Sequence, residues 1–325
     1  MNTPLKTLRR LPVALALTLG LGAAQAADKP LLGPATGALP AAPTTAPDTP
    51  SGPRVATAEA HENERWLAIR EGLFGKRPIQ NLLDAKAPAD AVVALDVPIR
   101  AADAAVVPMT IRTLPQQTAE RHVKKVWLVI DRNPSPVGAV FTLTPQAGRA
   151  ELATRVRVEE YTHVRAIAEL NDGSLHMHTR FLKASGGCSA APGSDLAAAK
   201  ATLGRFKLRL DPVADAAGLV AAQLSISHPN VSGLAIDQLT RLAPPPHFVR
   251  QVEVSYDGKP VVTADVDFTL SENPYLKFHF KAGGAGDLKV TVRDTEDGRY
   301  EQTLAVGPGG QPVATAAGAA TTAAR

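Results

Sequence analysis

Apolar residues in this chain recur at every second position, in short runs that each end in a turn signal. "YLKFHFK" sets Leu276, Phe278 and Phe280 against Lys277, His279 and Lys281. "FVRQVEVSYDGKPVVTADVD" places Val252, Val254 and Tyr256 on one face, with Glu253 and Ser255 on the other. It turns at Asp257-Gly258, a strong hairpin signal, and "DLKVTVRDTEDGRYEQTLAV" does the same at Asp297-Gly298. "FKLRL" and "AAQLSIS" precede these hairpins. The first half carries "AVVALDV", "AVVPMTIRT", "VKKVWLVIDR", "VGAVFTLT", "LATRVRV", "THVRAIAEL" and "SLHMHTRF". Asn133-Pro134-Ser135-Pro136, Gln146-Ala147-Gly148 and Asn171-Asp172-Gly173 separate them. A period of two buries one face of a strand, and each half holds roughly seven such strands, enough for a two-sheet core. The expectation is an all-β chain of two antiparallel sandwiches. One exception stands at the start of the first: Trp66, Ile69, Arg70 and Leu73 have helical spacing, which predicts a short helix over 62–73.

Composition shifts mark the borders. Residues 1–26 have a basic start (Lys6, Arg9, Arg10), an apolar run from Leu11 to Ala23, and Ala24-Gln25-Ala26. That order predicts a secretory signal cleaved after Ala26, and hence a periplasmic protein. Residues 27–57 read as a Pro/Ala-rich linker and 308–325 as a disordered tail. Between them the expected domains are 58–183 and 205–307, joined by a small-residue segment over 184–204. Of 35 Lys and Arg, three lie in the leader, which leaves 32 against 31 Asp and Glu. A nearly neutral chain lacks the electrostatic footprint that nucleic acid or an anionic membrane would require.

The joining segment, "LKASGGCSAAPGSDL", holds the only cysteine, Cys188. Its neighbours are glycine, serine, alanine and proline. Gly186 and Gly187 remove most steric limits on φ and ψ, so the reading is a hinged, solvent-accessible arm carrying a functional thiol. The Lys183–Cys188 stretch spans at most about 20 Å when extended. With one cysteine no disulfide forms within the monomer, and no base sits at local spacing to activate the thiol.

Other candidates are weaker. His176 and His178 share a strand face, as a copper or zinc pair would, but two solvent-facing histidines are the commoner case, so no metal is assigned. His228 and His247 each adjoin a proline and are candidates for a partner- or cargo-facing surface. Glu159 and Glu160 are adjacent and so point to opposite faces of a strand. No phosphate loop, zinc-finger cysteine pair or nucleophile elbow is present, and no cofactor is implied.

Taken in order, Leu73-Phe74-Gly75, Val107-Pro108, Asp131-Arg132-Asn133-Pro134-Ser135-Pro136, Arg155-Val156-Arg157 and Gly186-Gly187-Cys188 resemble the first subunit of the SoxYZ sulfur-carrier complex. His228-Pro229, Gly233, Pro246-His247-Phe248, Asp257-Gly258-Lys259 and Asn273-Pro274-Tyr275 resemble the second. The chain is similar to the fused SoxYZ-like carriers associated with quinoprotein dehydrogenases, over about residues 58 to 307. The resemblance implies immunoglobulin-like folds, a role in thiosulfate oxidation, and a covalent intermediate on Cys188. It also implies partner enzymes that load and unload this cysteine, among them a pyrroloquinoline-quinone (PQQ) dehydrogenase system. In the family the first subunit ends in Gly-Gly-Cys-Gly-Gly; here only Gly186, Gly187 and Cys188 match, and the arm is tethered at both ends. The expectation is therefore a non-catalytic carrier. Its rivals are a docking module with an incidental thiol, and a thiol enzyme.

Overall fold

Alternating burial, the property read from the sequence, organises the computed structural model. It describes residues 62–83, 86–113, 117–191, 196–213, 218–236 and 241–313. The leader, the 27–57 linker and residues 314–325 of the expected tail lie outside them.

The strands of the first half are β1 (Ile79–Leu82), β2 (Val93–Asp96), β3 (Val107–Thr113), β4 (Val123–Ile130), β5 (Val137–Leu143), β6 (Glu151–Val156), β7 (Thr162–Leu170) and β8 (Leu175–Leu182). Those of the second are β9 (Phe206–Pro212), β10 (Leu219–Ile226), β11 (Val249–Tyr256), β12 (Lys259–Val266), β13 (Tyr275–Lys281), β14 (Gly286–Asp294) and β15 (Arg299–Val306). Among the described residues they make two sheets, in the orders β1-β8-β7-β4-β5-β12-β11-β14-β15 and β2-β3-β6-β13-β10-β9. Each half is thus a two-sheet immunoglobulin-like sandwich. The two sandwiches are fused edge to edge, because both sheets run through the boundary.

The joints explain why. In the larger sheet β5 pairs antiparallel with β12, from Leu143 opposite Val262 to Ala139 opposite Val266. In the smaller, Thr154 and Ala153 of β6 face Leu276 and Lys277 of β13. Four strand edges that would otherwise expose unpaired N–H and C=O groups are closed on one another. Phe141, Leu152 and Val156 share one continuous apolar core with Val252, Phe278 and Leu224.

Helix α1 (Glu64–Phe74) starts where the Asn63 side chain accepts the Trp66 N–H at 2.9 Å, and stops at Gly75, whose φ is +56°. It covers the outer face of the larger sheet, where Trp66 and Phe74 pack with Val129, Ile167, Leu175 and Met177. That cover is why β7 is buried on both faces along most of its length. Beneath α1, Arg165 forms a buried two-bond ion pair with Asp131 (2.8 and 2.7 Å) and lies 4.2 Å over the Trp66 ring.

Three elements were not read from the sequence. β1 is short, and it pairs with β8 in parallel. A six-residue helix, α2 (Leu196–Ala201), lies within the expected joining segment. Residues 308–313, assigned to the tail, fold back on β15 through the Val313 N–H to the Ala305 carbonyl at 2.9 Å. The histidines of β8 correct another expectation. His178 is buried, and its Nδ1 accepts the Leu95 N–H across the sandwich at 2.8 Å; His176 is half-buried beside Ser174. Neither is a solvent-facing strand residue.

Candidate functional site at the docked cysteine arm

After β8 the chain runs along the loop that follows β6. The Gly186 N–H donates to the Glu159 carbonyl at 2.8 Å, and the Gly187 N–H to the Val158 carbonyl at 2.9 Å. Val158 in turn donates to the Ala104 carbonyl at 2.9 Å. Gly187 lies so close to that group that a Cβ placed on it would sit 2.0 Å from the Ala104 oxygen. Gly186 does a different job: its φ is +80°, with open space where a Cβ would go.

The Glu159 carboxylate then takes hold of the cysteine's own backbone. Its Oε2 accepts the N–H of Cys188 at 2.9 Å and that of Ser189 at 3.1 Å, and its Oε1 accepts the Ser189 hydroxyl at 2.8 Å. Asn133, from the Asn-Pro-Ser-Pro turn, fixes this loop by accepting the Glu159 N–H and donating to the Arg157 carbonyl, both at 2.9 Å. From the second half, the Ser232 hydroxyl donates to the Cys188 carbonyl at 2.7 Å.

Cys188 is consequently 0% exposed. This corrects the expectation of a solvent-accessible thiol on a loose arm. Small side chains allow mobility, but they also allow close backbone approach, and here each arm amide from Gly186 to Ser189 finds an acceptor. Burial first, and then the Glu159 carboxylate, pushes the thiol up to about 12; Arg157 opposes them and Asp267 adds to them. The sulfur is therefore stored as a neutral thiol.

Arg157 ties the halves together beside it. Its Nη1 donates to the carbonyls of Asn230 (2.8 Å), Phe268 (2.9 Å) and Leu270 (2.7 Å), all from the second half. Burial lowers its affinity for the proton, while Cys188 and Glu272 oppose that shift.

His228 and His247 are not a surface. They are 1% and 6% exposed, and their rings meet edge to face at 4.5 Å. The Nε2 atoms of both approach Asp294 Oδ2, at 3.4 and 2.9 Å, and the Tyr300 hydroxyl donates to the same oxygen at 2.9 Å. Asp294 Oδ1 accepts the N–H groups of Glu296 (2.9 Å) and Gly298 (2.7 Å). The two histidines turn inward because this carboxylate, at the end of β14, supplies their acceptor.

The His228, His247 and Asp294 ligand atoms all lie within 4.8 Å of one another, so the set resembles a metal site. Its donors are already committed. His228 Nδ1 accepts the Asn230 N–H at 3.0 Å, which leaves the ring proton on Nε2, facing Asp294. A metal on that Nε2 would set an Nδ1 proton against the Asn230 N–H. The cluster is a closed hydrogen-bond network. It still touches the arm, because Asn230 also receives Arg157, and Val231 exchanges backbone bonds with His247 (2.7 and 3.0 Å) one residue before Ser232.

Glu159, Asn133, Ser232, Asp294 and Tyr300 were not read as site residues. Glu159 had a signal: of two adjacent carboxylates, Glu160 turns outward to Arg132 at 3.2 Å, which leaves Glu159 for the arm. Asn133 lies in a turn motif evident in the sequence, but its partners on the Glu159 loop, like the partner of Ser232, come from distant segments. Asp294 and Tyr300 meet across one hairpin whose histidine partners come from elsewhere.

With the arm's position established, comparison with known proteins locates it within a family. The family model described as sulfur oxidation protein SoxY matches residues 79–188, and so ends on the cysteine. The model described as sulphur oxidation protein SoxZ matches residues 209–305. The chain carries a SoxY domain followed by a SoxZ domain. Among solved structures, the sulfur carrier protein SoxY from Chlorobium limicola f thiosulfatophilum is 21% identical. The match covers 39% of this chain and 96% of that one, with a TM-score of 0.31. A superoxide reductase (neelaredoxin) variant from Ignicoccus hospitalis is 12% identical, covering 29% of this chain and 81% of its own, with a TM-score of 0.27. A beta-glycosidase from Bacteroides vulgatus is also 12% identical, over 67% of this chain and 25% of its own, with a TM-score of 0.20. No curated protein matches the chain. The assignment rests on the two family models, which match residues 79–188 and 209–305 in tandem.

Proposed function

We propose that this tandem SoxY–SoxZ chain is a periplasmic sulfur-oxidation carrier that holds a covalent intermediate on Cys188 and presents it to partner enzymes. The observation that carries the reading is the position of Cys188. It is the last residue of the SoxY match and the only thiol, on a segment held to the body by backbone hydrogen bonds rather than by large apolar side chains. Such bonds are individually worth about 1 kcal/mol between neutral groups and about 1.5–3 kcal/mol to a carboxylate, a holding strength that a docked arm can lose and regain.

The thiol's environment favours a carrier over a thiol enzyme. A cysteine nucleophile needs a lowered pKa or an adjacent base, and Cys188 has a raised one beside a carboxylate. Activation is then supplied by the partner that receives the arm. The cargo is an S-linked sulfur group such as a persulfide or thiosulfonate, as in thiosulfate oxidation. The leader's basic start and apolar run support export, and the resemblance to fused SoxYZ-like carriers suggests a partner system that includes a PQQ-dependent dehydrogenase.

The test is Cys188→Ala in the native host. Sulfur oxidation that depends on this protein is lost, while the purified variant melts within about 3 °C of the parent, since the change removes one small buried atom. Retained sulfur oxidation by the variant would overturn the reading.

A further inference from the structure

The mechanism above needs the arm to leave its dock, and the docked geometry shows what could release it. Glu159 is half-buried, and both its oxygens act as acceptors, the role of an ionised carboxylate. It binds the backbone on either side of the cysteine's Cα, so its charge lies against the residue that would be loaded. The other ionisable groups acting on that sulfur are Arg157 and Asp267. Arg157 spends Nη1 on three carbonyls of the second half, and Asp267 accepts the Thr269 N–H at 2.7 Å. Of the charged groups, Glu159 has the largest effect on the sulfur, ahead of Arg157. A neutral thiol is tolerated in this place. A sulfur ending in an anion is placed beside the carboxylate that bonds the Cys188 backbone, with Cys188 buried and Glu159 only partly open to solvent, so their repulsion is incompletely screened.

We propose that Glu159 is a charge-sensing latch: it retains the arm while Cys188 ends in a neutral thiol, and releases it when the sulfur carries an anionic group. This rests on the reading of Cys188 as the loading atom. Loading then reports itself, because the charged arm is the one presented to partners and the discharged arm redocks.

Two alkylating agents separate charge from bulk. Iodoacetamide and iodoacetate each form an S–C bond at Cys188, break a C–I bond, expel iodide and send the thiol proton to solvent. The adducts are nearly equal in size, but one is neutral and the other anionic. Hydrogen exchange of the full chain is followed on the peptide spanning 184–191. The expected result is exchange at least about tenfold faster in the carboxymethyl protein than in the carbamidomethyl protein, a free-energy difference of about 1.4 kcal/mol. In Glu159→Gln, which keeps an oxygen acceptor but no charge, the two adducts exchange alike. Equal exchange of both adducts in the parent chain overturns the proposal and assigns release to bulk; that comparison needs no variant. A charge-dependent difference that persists in Glu159→Gln also overturns it, by placing the sensor elsewhere. Either failure leaves Cys188 as the loading atom untouched, whereas absence of any cargo in cells would remove the carrier reading and leave the latch standing.

Discussion

Gly187 shows how much of the site depends on a missing atom. Its backbone runs against the Ala104–Val158 hydrogen bond, where any Cβ would lie 2.0 Å from the Ala104 oxygen and 2.8 Å from the Val158 nitrogen. Both contacts are backbone and cannot be relieved by turning a side chain. Gly187→Ala should therefore undock the arm. The readout is labelling of Cys188 by a thiol reagent in native buffer. In the parent protein labelling should be slow, because Cys188 is buried and a thiol pushed up to about 12 holds roughly three orders of magnitude less thiolate at neutral pH than an ordinary cysteine. In Gly187→Ala it accelerates at least about tenfold. Gly186→Ala, which meets no atom but pays for a φ of +80°, has a smaller effect, of roughly 1 kcal/mol on docking. Unchanged labelling in Gly187→Ala would contradict the docked geometry.

At the level of elements, the turn between β14 and β15 organises the second half's end of the site. Gly298 leaves room for the Asp294 carboxylate and Tyr300 hydroxyl, which a Cβ would approach to 2.5 and 2.6 Å. Burial raises the Asp294 pKa, but the hydrogen bonds from His228, His247, Tyr300 and Gly298 outweigh it and hold the group well below the usual carboxylate range. Burial likewise lowers the pKa of His228, keeping it neutral. Both shifts have one sign: the folded chain binds fewer protons than the unfolded one, so stability rises with pH. The His228 contribution is lost as pH falls below about 6.5, and that of Asp294 as pH falls below about 4. Asp294→Asn should lower stability by roughly 2–4 kcal/mol at pH 7 and flatten the loss below pH 4, as read by thermal melts from pH 7 to pH 3. A variant with the parent's melting temperature and the same acid limb would contradict the assignment. The hairpin at Asp297-Gly298 was legible in the sequence because turn chemistry is local. The network it builds was not, since His228 and His247 reach the Asp294–Tyr300 hairpin only through the packing of three separate segments. His228 and His247 were therefore noticed but placed on the surface. Cys188 stood out in the sequence as the one thiol on a small-residue segment and was misjudged in exposure, because glycine-rich sequence reads the same whether backbone freedom or backbone closeness is being used.

In the whole molecule, two seven- to eight-stranded units share both sheets, and Arg157 reaches across their boundary beside the cysteine. Alternation along each strand was enough to reveal the two sandwiches. It could not show that β5 joins β12 and β6 joins β13, because period-two burial says which face is covered and not which strand lies alongside. The consequence for function is that the arm docks in a groove made by both halves, with Glu159 from one and Ser232 from the other. Fusion keeps both walls of that groove on one polypeptide. The central claim is that Cys188 carries cargo, and the most direct measurement is the mass of the peptide bearing Cys188. The protein should be isolated without reductant from its native host during growth on a reduced sulfur compound. The account predicts a discrete sulfur-containing adduct on Cys188 that reductant removes and that is absent without the sulfur source. A peptide of unmodified mass under both conditions, from cells actively oxidising sulfur through this protein, would contradict it.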